Sequence, residues 1–333
     1  MSLILPAGSS VASPPALRKT FQDHPKTPAC RIVSRGFGRQ LKNTDARLYD
    51  FVNHFMTSLK EVDEKGLGRY LHPKLKKRTV PLGRQLLASL RHRYQTPWSW
   101  SVYRVWGLNT VNGDKITLEC PGGDGVLLTA VYGYPIQAAI WIQLMAKNEL
   151  ARIYIAATPW KKGWVISGLH LQQWTHSGRD FEAWSRKGVS AAQKGQKVAA
   201  HFYFDAAQKL LFGGDFVDFP FKNDILQARN DALSKEGLRQ LVEKALPPAK
   251  ILYAGTVLAN DGVGILIREE VSPDKALKDL QTNCRRQGRS LKKQQIPESA
   301  AAGIRCEFIM KGENPEREGQ LGGVYFPRTK LSK

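Results

Sequence analysis

Cysteine is scarce in this chain, and its spacing excludes the familiar cysteine chemistries. The four cysteines among 333 residues, Cys30, Cys120, Cys284 and Cys306, stand far apart with no CxxC pair. Neither a zinc ribbon nor a thioredoxin-like redox pair is therefore supported. Cys284 to Cys306 is the only plausible disulfide, with unpaired core thiols the commoner alternative. Long apolar runs are missing too: nothing approaches the ~20 apolar residues of a membrane helix, so no transmembrane span is expected. Acid is in short supply, with 29 Asp plus Glu against 50 Lys plus Arg and a formal charge of +21. That balance either solvates a dispersed basic surface or favours a polyanion or anionic membrane surface as neighbour.

Catalytic signatures are absent in the same way. No Gly-x-Ser-x-Gly elbow or Cys/His nucleophile pairing occurs, and Gly122-Gly123-Asp124-Gly125 lacks the Lys-Ser/Thr of a phosphate loop, so it reads as a turn. Glu119 and Glu149 are the main carboxylates among the expected strands, a shortage that argues against proton-transfer chemistry. His170 and His176 form the one close histidine pair in this region, but six extended residues span roughly 20 Å, too far for a shared ion. No metal and no cofactor are expected.

What is present is an ordinary folded composition, 42% hydrophobic and 24% charged, in a chain long enough for two or three cores. Residues 1–42, rich in Pro, Ser and basic residues, show no sustained period and read as a flexible basic arm. Residues 2–17 are mildly apolar but lack the basic start of a secretory signal. The arm also fits an organellar presequence or a misplaced start. Thr44 is expected to cap a helix with Leu48, Phe51, Val52, Phe55 and Leu59 on one face, and Leu82, Leu86, Leu87 and Leu90 mark a second helix.

From Trp98 the texture turns to period two. Short strands are expected near Ile116 to Leu118 and Val126 to Leu128, then long ones over 136–145, 150–157 and 164–174, with Lys161-Lys162-Gly163 as a turn. All eight tryptophans lie in this sheet or directly after it, and such a wall lines a core or a cavity. Farther on, 235–245 reads as a helix, 251–258 and 263–267 as a hairpin across Asn260-Asp261-Gly262, Ser272-Pro273 as a helix start, and 304–310 and 323–326 as strands. The basic cluster Arg285, Arg286, Arg289, Lys292 and Lys293 reads as a solvated helix face.

Helices followed by an antiparallel meander that ends in two long strands, through Arg152-Ile-Tyr-Ile-Ala-Ala-Thr-Pro-Trp-Lys-Lys-Gly-Trp-Val-Ile-Ser-Gly-Leu-His, resemble the nuclear-transport-factor-like superfamily over about 43–178. The resemblance implies a cone whose helices close a sheet-lined pocket, a fold that serves both enzymes and non-catalytic modules. Trp184, Gly188, Ala200, Phe204 and Ala207 stand at the spacings of one tetratricopeptide repeat over about 181–214, with Phe212 where that pattern has Pro. A lone hairpin cannot bury both faces and is expected to dock on its neighbours.

The fold class is therefore α+β: helices packed on a curved antiparallel sheet, then a helical hairpin and a small C-terminal α+β unit. The expected division is an arm at 1–42, a cone at 43–178, hairpin and connector at 179–232 and an α+β domain at 233–333. A ligand would enter the cone past Trp98, Tyr103, Trp106, Tyr154 and His170 through aromatic and neutral polar contacts. The reading is a non-catalytic binding or scaffolding protein whose partner is another protein, placed in a bacterial envelope, with organelle or cytoplasm open. Its alternatives are a basic nucleic-acid- or ribosome-associated protein and a small-molecule isomerase- or dehydratase-like enzyme.

Overall fold

The computed structural model describes residues 2–3, 28–36, 38–61, 63–73, 99–122, 125–131, 133–146, 149–161, 163–212, 214–247, 249–259, 262–271, 277–293, 302–310 and 323–327. Helices pack on mostly antiparallel sheets in an α+β arrangement, and the chain divides into two compact units, 1–174 with 211–220 and 175–210 with 221–333. The second helix expected around Leu82 to Leu90, Trp98 and the Ser272-Pro273 cap lie outside the described residues.

In the first unit, strands β1 (Ser2–Leu3) and β2 (Ala29–Ser34) precede three helices, α1 (Arg39–Thr44), α2 (Ala46–Lys60) and α3 (Glu64–Arg69). Then come β3 (Ser99–Asn109), β4 (Thr117–Glu119), β5 (Leu127–Thr129), β6 (Ile136–Ala146), β7 (Glu149–Trp160) and β8 (Gly163–Gln173), and later in the chain β9 (Val217–Asp218). The large sheet has the order β1-β8-β7-β6-β3-β2, and β4-β5-β9 form a small one. Residues 1–42 were expected to be an arm, but order begins earlier: Ile32 pairs with Trp106 and Cys30 with Leu108, so β2 is part of the sheet. The apolar residues that make this strand were too few to show a period among the surrounding prolines.

The amphipathic stripe of α2 is as expected, with Leu48, Phe51, Val52, Phe55 and Leu59 buried. Its cap is one residue later than Thr44. Asp45 Oδ1 accepts from the Leu48 N–H at 2.9 Å, while Thr44 ends α1. The turn between β7 and β8 falls where Lys161 and Gly163 place it, with Trp160 opposite Gly163 and Lys161 at φ 52.

The second unit holds α4 (Phe181–Gln193), α5 (Lys197–Leu210), α6 (Lys222–Ala232), α7 (Lys235–Ala245), β10 (Ile251–Ala259), β11 (Gly262–Val271), α8 (Leu277–Lys293), β12 (Gly303–Met310) and β13 (Gly323–Pro327). Its sheet runs β10-β11-β12-β13, and α8 is the crossover that makes β11 and β12 parallel. Helices α4 and α5 form the expected hairpin, and an added Cβ at Gly188 would lie 2.7 Å from the Phe204 ring, so glycine lets the helices approach. The hairpin was expected to dock on its neighbours, and within its own unit α5 lies between α4, α6 and β10. It is buried on nearly every side, through Ala199, Ala200, Phe202, Phe204, Ala206, Ala207 and Leu210. Helix α6 was not anticipated because its only buried residues are Ile225 and Arg229, too few for a visible stripe.

Two disulfides join these elements, and no cysteine is free. The Cys284–Cys306 bond links α8 to β12 across a Cα separation of 5.8 Å. The Cys30–Cys120 bond, with Cα atoms 5.2 Å apart, was excluded on sequence spacing. That exclusion fails because β2 and the end of β4 are 90 residues apart in sequence and meet only once the sheet has formed.

Candidate functional site

Alternation divides the large sheet into two chemically different faces. Ile140, Ile142 and Leu144 of β6 with Ala151, Ile153 and Ile155 of β7 pack with the apolar stripe of α2 into an aliphatic core. The intervening residues form the other face. There Trp141 stands opposite Tyr154 and Tyr154 opposite His170, while Gln143, Arg152 and Gln172 form the next row.

Trp141 is the centre of this second layer. Its ring centroid lies 4.9 Å from Tyr103, 5.9 Å from Trp106, 5.2 Å from Tyr154 and 6.0 Å from Trp174. Arg152 places its guanidinium carbon 3.8 Å from the Trp141 centroid and also over the Trp174 ring, a cation–π box filled by the protein's own cation. The layer is roofed by the small sheet and the segment around it: Trp106 Nε1–H donates to the Pro121 carbonyl at 3.1 Å, and Trp174 meets Phe219 at 5.8 Å. His170 Nε2 contacts the Phe212 carbonyl at 2.9 Å. A carbonyl only accepts, so this nitrogen carries the proton. Burial pushes the Tyr154 hydroxyl well above its ordinary value despite the pull of Arg152, and it stays neutral.

The structure thus brings Tyr103, Trp106, Tyr154 and His170 to one face, the one turned away from α2. Trp106, Tyr154 and His170 are at most 2% exposed, and Tyr103 is half-buried. Together they form an internal layer. The residues that sequence reasoning missed here are Trp141 and Arg152. The available signal was a lone arginine inside the apolar run Leu150-Ala-Arg-Ile-Tyr-Ile, since a buried charge demands a partner.

A second polar cluster lies within the helical unit. Asp205 accepts from Arg229 at 2.8 Å, sits 3.1 Å from Lys209 Nζ and accepts from the Thr256 hydroxyl. Burial alone would raise this carboxyl, but Lys209, Thr256 and Arg229 outweigh it and hold Asp205 well below the usual carboxylate range. Burial lowers His201, whose Nδ1–H donates to the Leu233 carbonyl. Both groups tie α5 to its neighbours. Lys209 also donates to the Thr256 carbonyl and Arg239 to that of Ile251 at 3.1 Å, so side chains occupy part of the β10 backbone.

No known family, curated relative or solved structure matches the chain. Its chemistry is therefore read from its own residues. The four buried acids among the described residues are Asp45, Asp205, Glu269 and Glu307, and each has a structural partner. Asp45 caps α2, and Asp205 pairs with Arg229. Glu269 accepts from Asn283 and Gln287, and Glu307 pairs with Arg268 and Arg305. His176, the other histidine of the close pair, lies outside the strands in a turn with Arg179. Among the described residues no three His, Cys, Asp or Glu side chains converge as a metal site would require. Gly122 and Gly125 have positive φ, as befits a turn.

Proposed function

We propose that this chain is a non-catalytic binding or scaffolding protein of an oxidising compartment such as a bacterial envelope, with another protein as its partner. The observation that carries this reading is that the four buried carboxylates among the described residues are consumed by caps, ion pairs and amide contacts. A general acid or base needs a group poised near neutral pH with room for substrate. Here His170 is committed to a backbone carbonyl and Tyr154 is held neutral. The two disulfides support the compartment, since cytosolic thiols are kept reduced. The resemblances to a nuclear-transport-factor-like cone and to one tetratricopeptide repeat fit such a role, and the outer side of α4, where Val189 is 46% exposed beside Arg186 and Lys187, suits protein contact.

A photo-crosslinker placed at Val189 is expected to trap one discrete protein in the native compartment. Multiple turnovers of an apolar carbonyl compound, abolished by His170→Ala, would replace this reading with the isomerase-like one. Four free thiols in protein taken from its native compartment would remove the envelope assignment. The net charge of +21 favours a nucleic-acid-associated protein as the second reading. Sequence-tolerant nucleic-acid binding that collapses with added salt would promote it.

A further inference from the structure

Helix α8 carries six basic residues, Lys278, Arg285, Arg286, Arg289, Lys292 and Lys293, against one acid, Asp279. Its apolar side is committed: Leu280, Cys284 and Leu291 are buried, and the helix packs on β12 and β13. Arg285, Arg286 and Arg289 are all exposed on the other side.

Among the described residues, Arg285, Arg286 and Arg289 have no ion-pair partner in the sheet below. The two buried acids of the adjoining sheet are engaged elsewhere, Glu269 by Asn283 and Gln287 and Glu307 by Arg268 and Arg305. Two of the arginines are also partly ordered. Arg286 Nη2 donates to Asn283 Oδ1 at 2.6 Å, which uses one of its five N–H donors, and the Arg285 guanidinium lies 5.1 Å from the Phe326 ring. A helix dipole explains cations in the last turn, but Arg285 and Arg286 stand about two turns before Lys293.

We propose that the arginine row of α8 docks the protein on the phosphates of an anionic lipid surface. Guanidinium groups grip phosphate oxygens two at a time, which lysine cannot do. The row follows one side of α8, and a line of charge suits a planar array of headgroups. Directly beneath it Cys284 is bonded to Cys306. The row is therefore displayed where thiols oxidise and where the resident polyanion is a membrane surface rather than nucleic acid. No large apolar side chain is exposed on this helix among the described residues, so the docking is peripheral and sensitive to salt. It concerns a different surface from α4, so the scaffold reading can stand where this one falls.

The test is co-sedimentation of the full chain with vesicles of phosphatidylcholine alone and of phosphatidylcholine mixed with phosphatidylglycerol. The protein is expected to partition onto the anionic vesicles only, and to be released by salt. Each arginine replaced by glutamine should weaken partitioning about five-fold, so the triple change Arg285→Gln, Arg286→Gln, Arg289→Gln loses on the order of 100-fold. The corresponding triple lysine variant keeps the charge but loses the two-point grip on phosphate, so it should bind more weakly than wild type and more tightly than the glutamine variant. Thermal melting and thiol counts check that each variant is folded and bonded, with the single changes carrying the test if the triple glutamine variant is not. Equal binding to neutral and anionic vesicles, wild-type partitioning of the glutamine variants, or tighter binding of a short DNA duplex at equal phosphate concentration would each overturn the proposal.

Discussion

Asp205 stands in an apolar stretch of α5 and depends on groups brought to it from α6 and β10. Removing Arg229 would leave this buried carboxylate with Lys209 as its remaining ion-pair partner beside the Thr256 hydroxyl, and Arg229→Ala is expected to cost about 3 to 5 kcal/mol in chemical denaturation. The pH dependence follows from the same pairing. The folded-state pKa lies below the unfolded value of about 3.9, so the stabilisation is fully present above that value and drains away as pH falls through the folded one. In Asp205→Asn this acid loss should shrink, and an unchanged acid limb would show that the pairing contributes nothing. Trp184 is the second decisive residue. It is buried, donates from Nε1 to the His176 carbonyl and stacks on Tyr203. Trp184→Ala should destabilise by roughly 3 to 5 kcal/mol. A loss under about 1 kcal/mol would mean the hairpin does not rely on it.

At the scale of elements, β2 and the excursion between β3 and β6 are joined by Cys30–Cys120, which closes a long loop across the edge of the large sheet. Replacing both cysteines by serine should lower stability by about 2 to 5 kcal/mol. Because Trp106 is bonded to Pro121 next to this bridge, the near-ultraviolet dichroism of the aromatic layer should weaken with it. Full stability together with an unaltered aromatic signal would show that β2 is held by pairing alone. Elements were legible where long apolar runs or a regular period stand between turn residues: β6, β7 and β8, the α4–α5 hairpin, α7 and the β10–β11 hairpin lie where their patterns place them. Helix α6 and strand β2 were not, because a buried arginine in the first and a few apolar residues among prolines in the second leave too weak a period.

At the scale of the molecule, the chain passes from one unit to the other after Trp174, returns at Leu211 and leaves again after Pro220. The first unit therefore takes β9 from a segment that follows the hairpin, and this segment covers the aromatic layer through Phe219 and the Phe212 carbonyl. Separately produced 1–174 and 175–333 are expected to associate when mixed, since 211–220 completes the small sheet and roofs the tryptophans. If 1–174 alone shows cooperative melting and binds nothing of the second fragment in gel filtration, the segment is dispensable.

Periodicity, cap chemistry and turn residues act between neighbours a few positions apart, so the sequence by itself determined the α+β class, most element boundaries and the apolar stripe of α2. The surplus of aromatics also pointed to Tyr103, Trp106, Tyr154 and His170, but Tyr103 and Trp106 are three residues apart and share a face only because the strand shifts register between Val102 and Arg104. Only the tertiary structure decided which face that was, and that Arg152 already fills the box between Trp141 and Trp174. The same holds for Arg229 meeting Asp205 across 24 residues, Thr256 meeting it across 51 and Cys30 meeting Cys120 across 90. Such contacts are made by sheet order and helix packing, and a pattern read along one strand or helix carries no record of which distant segment will lie against it.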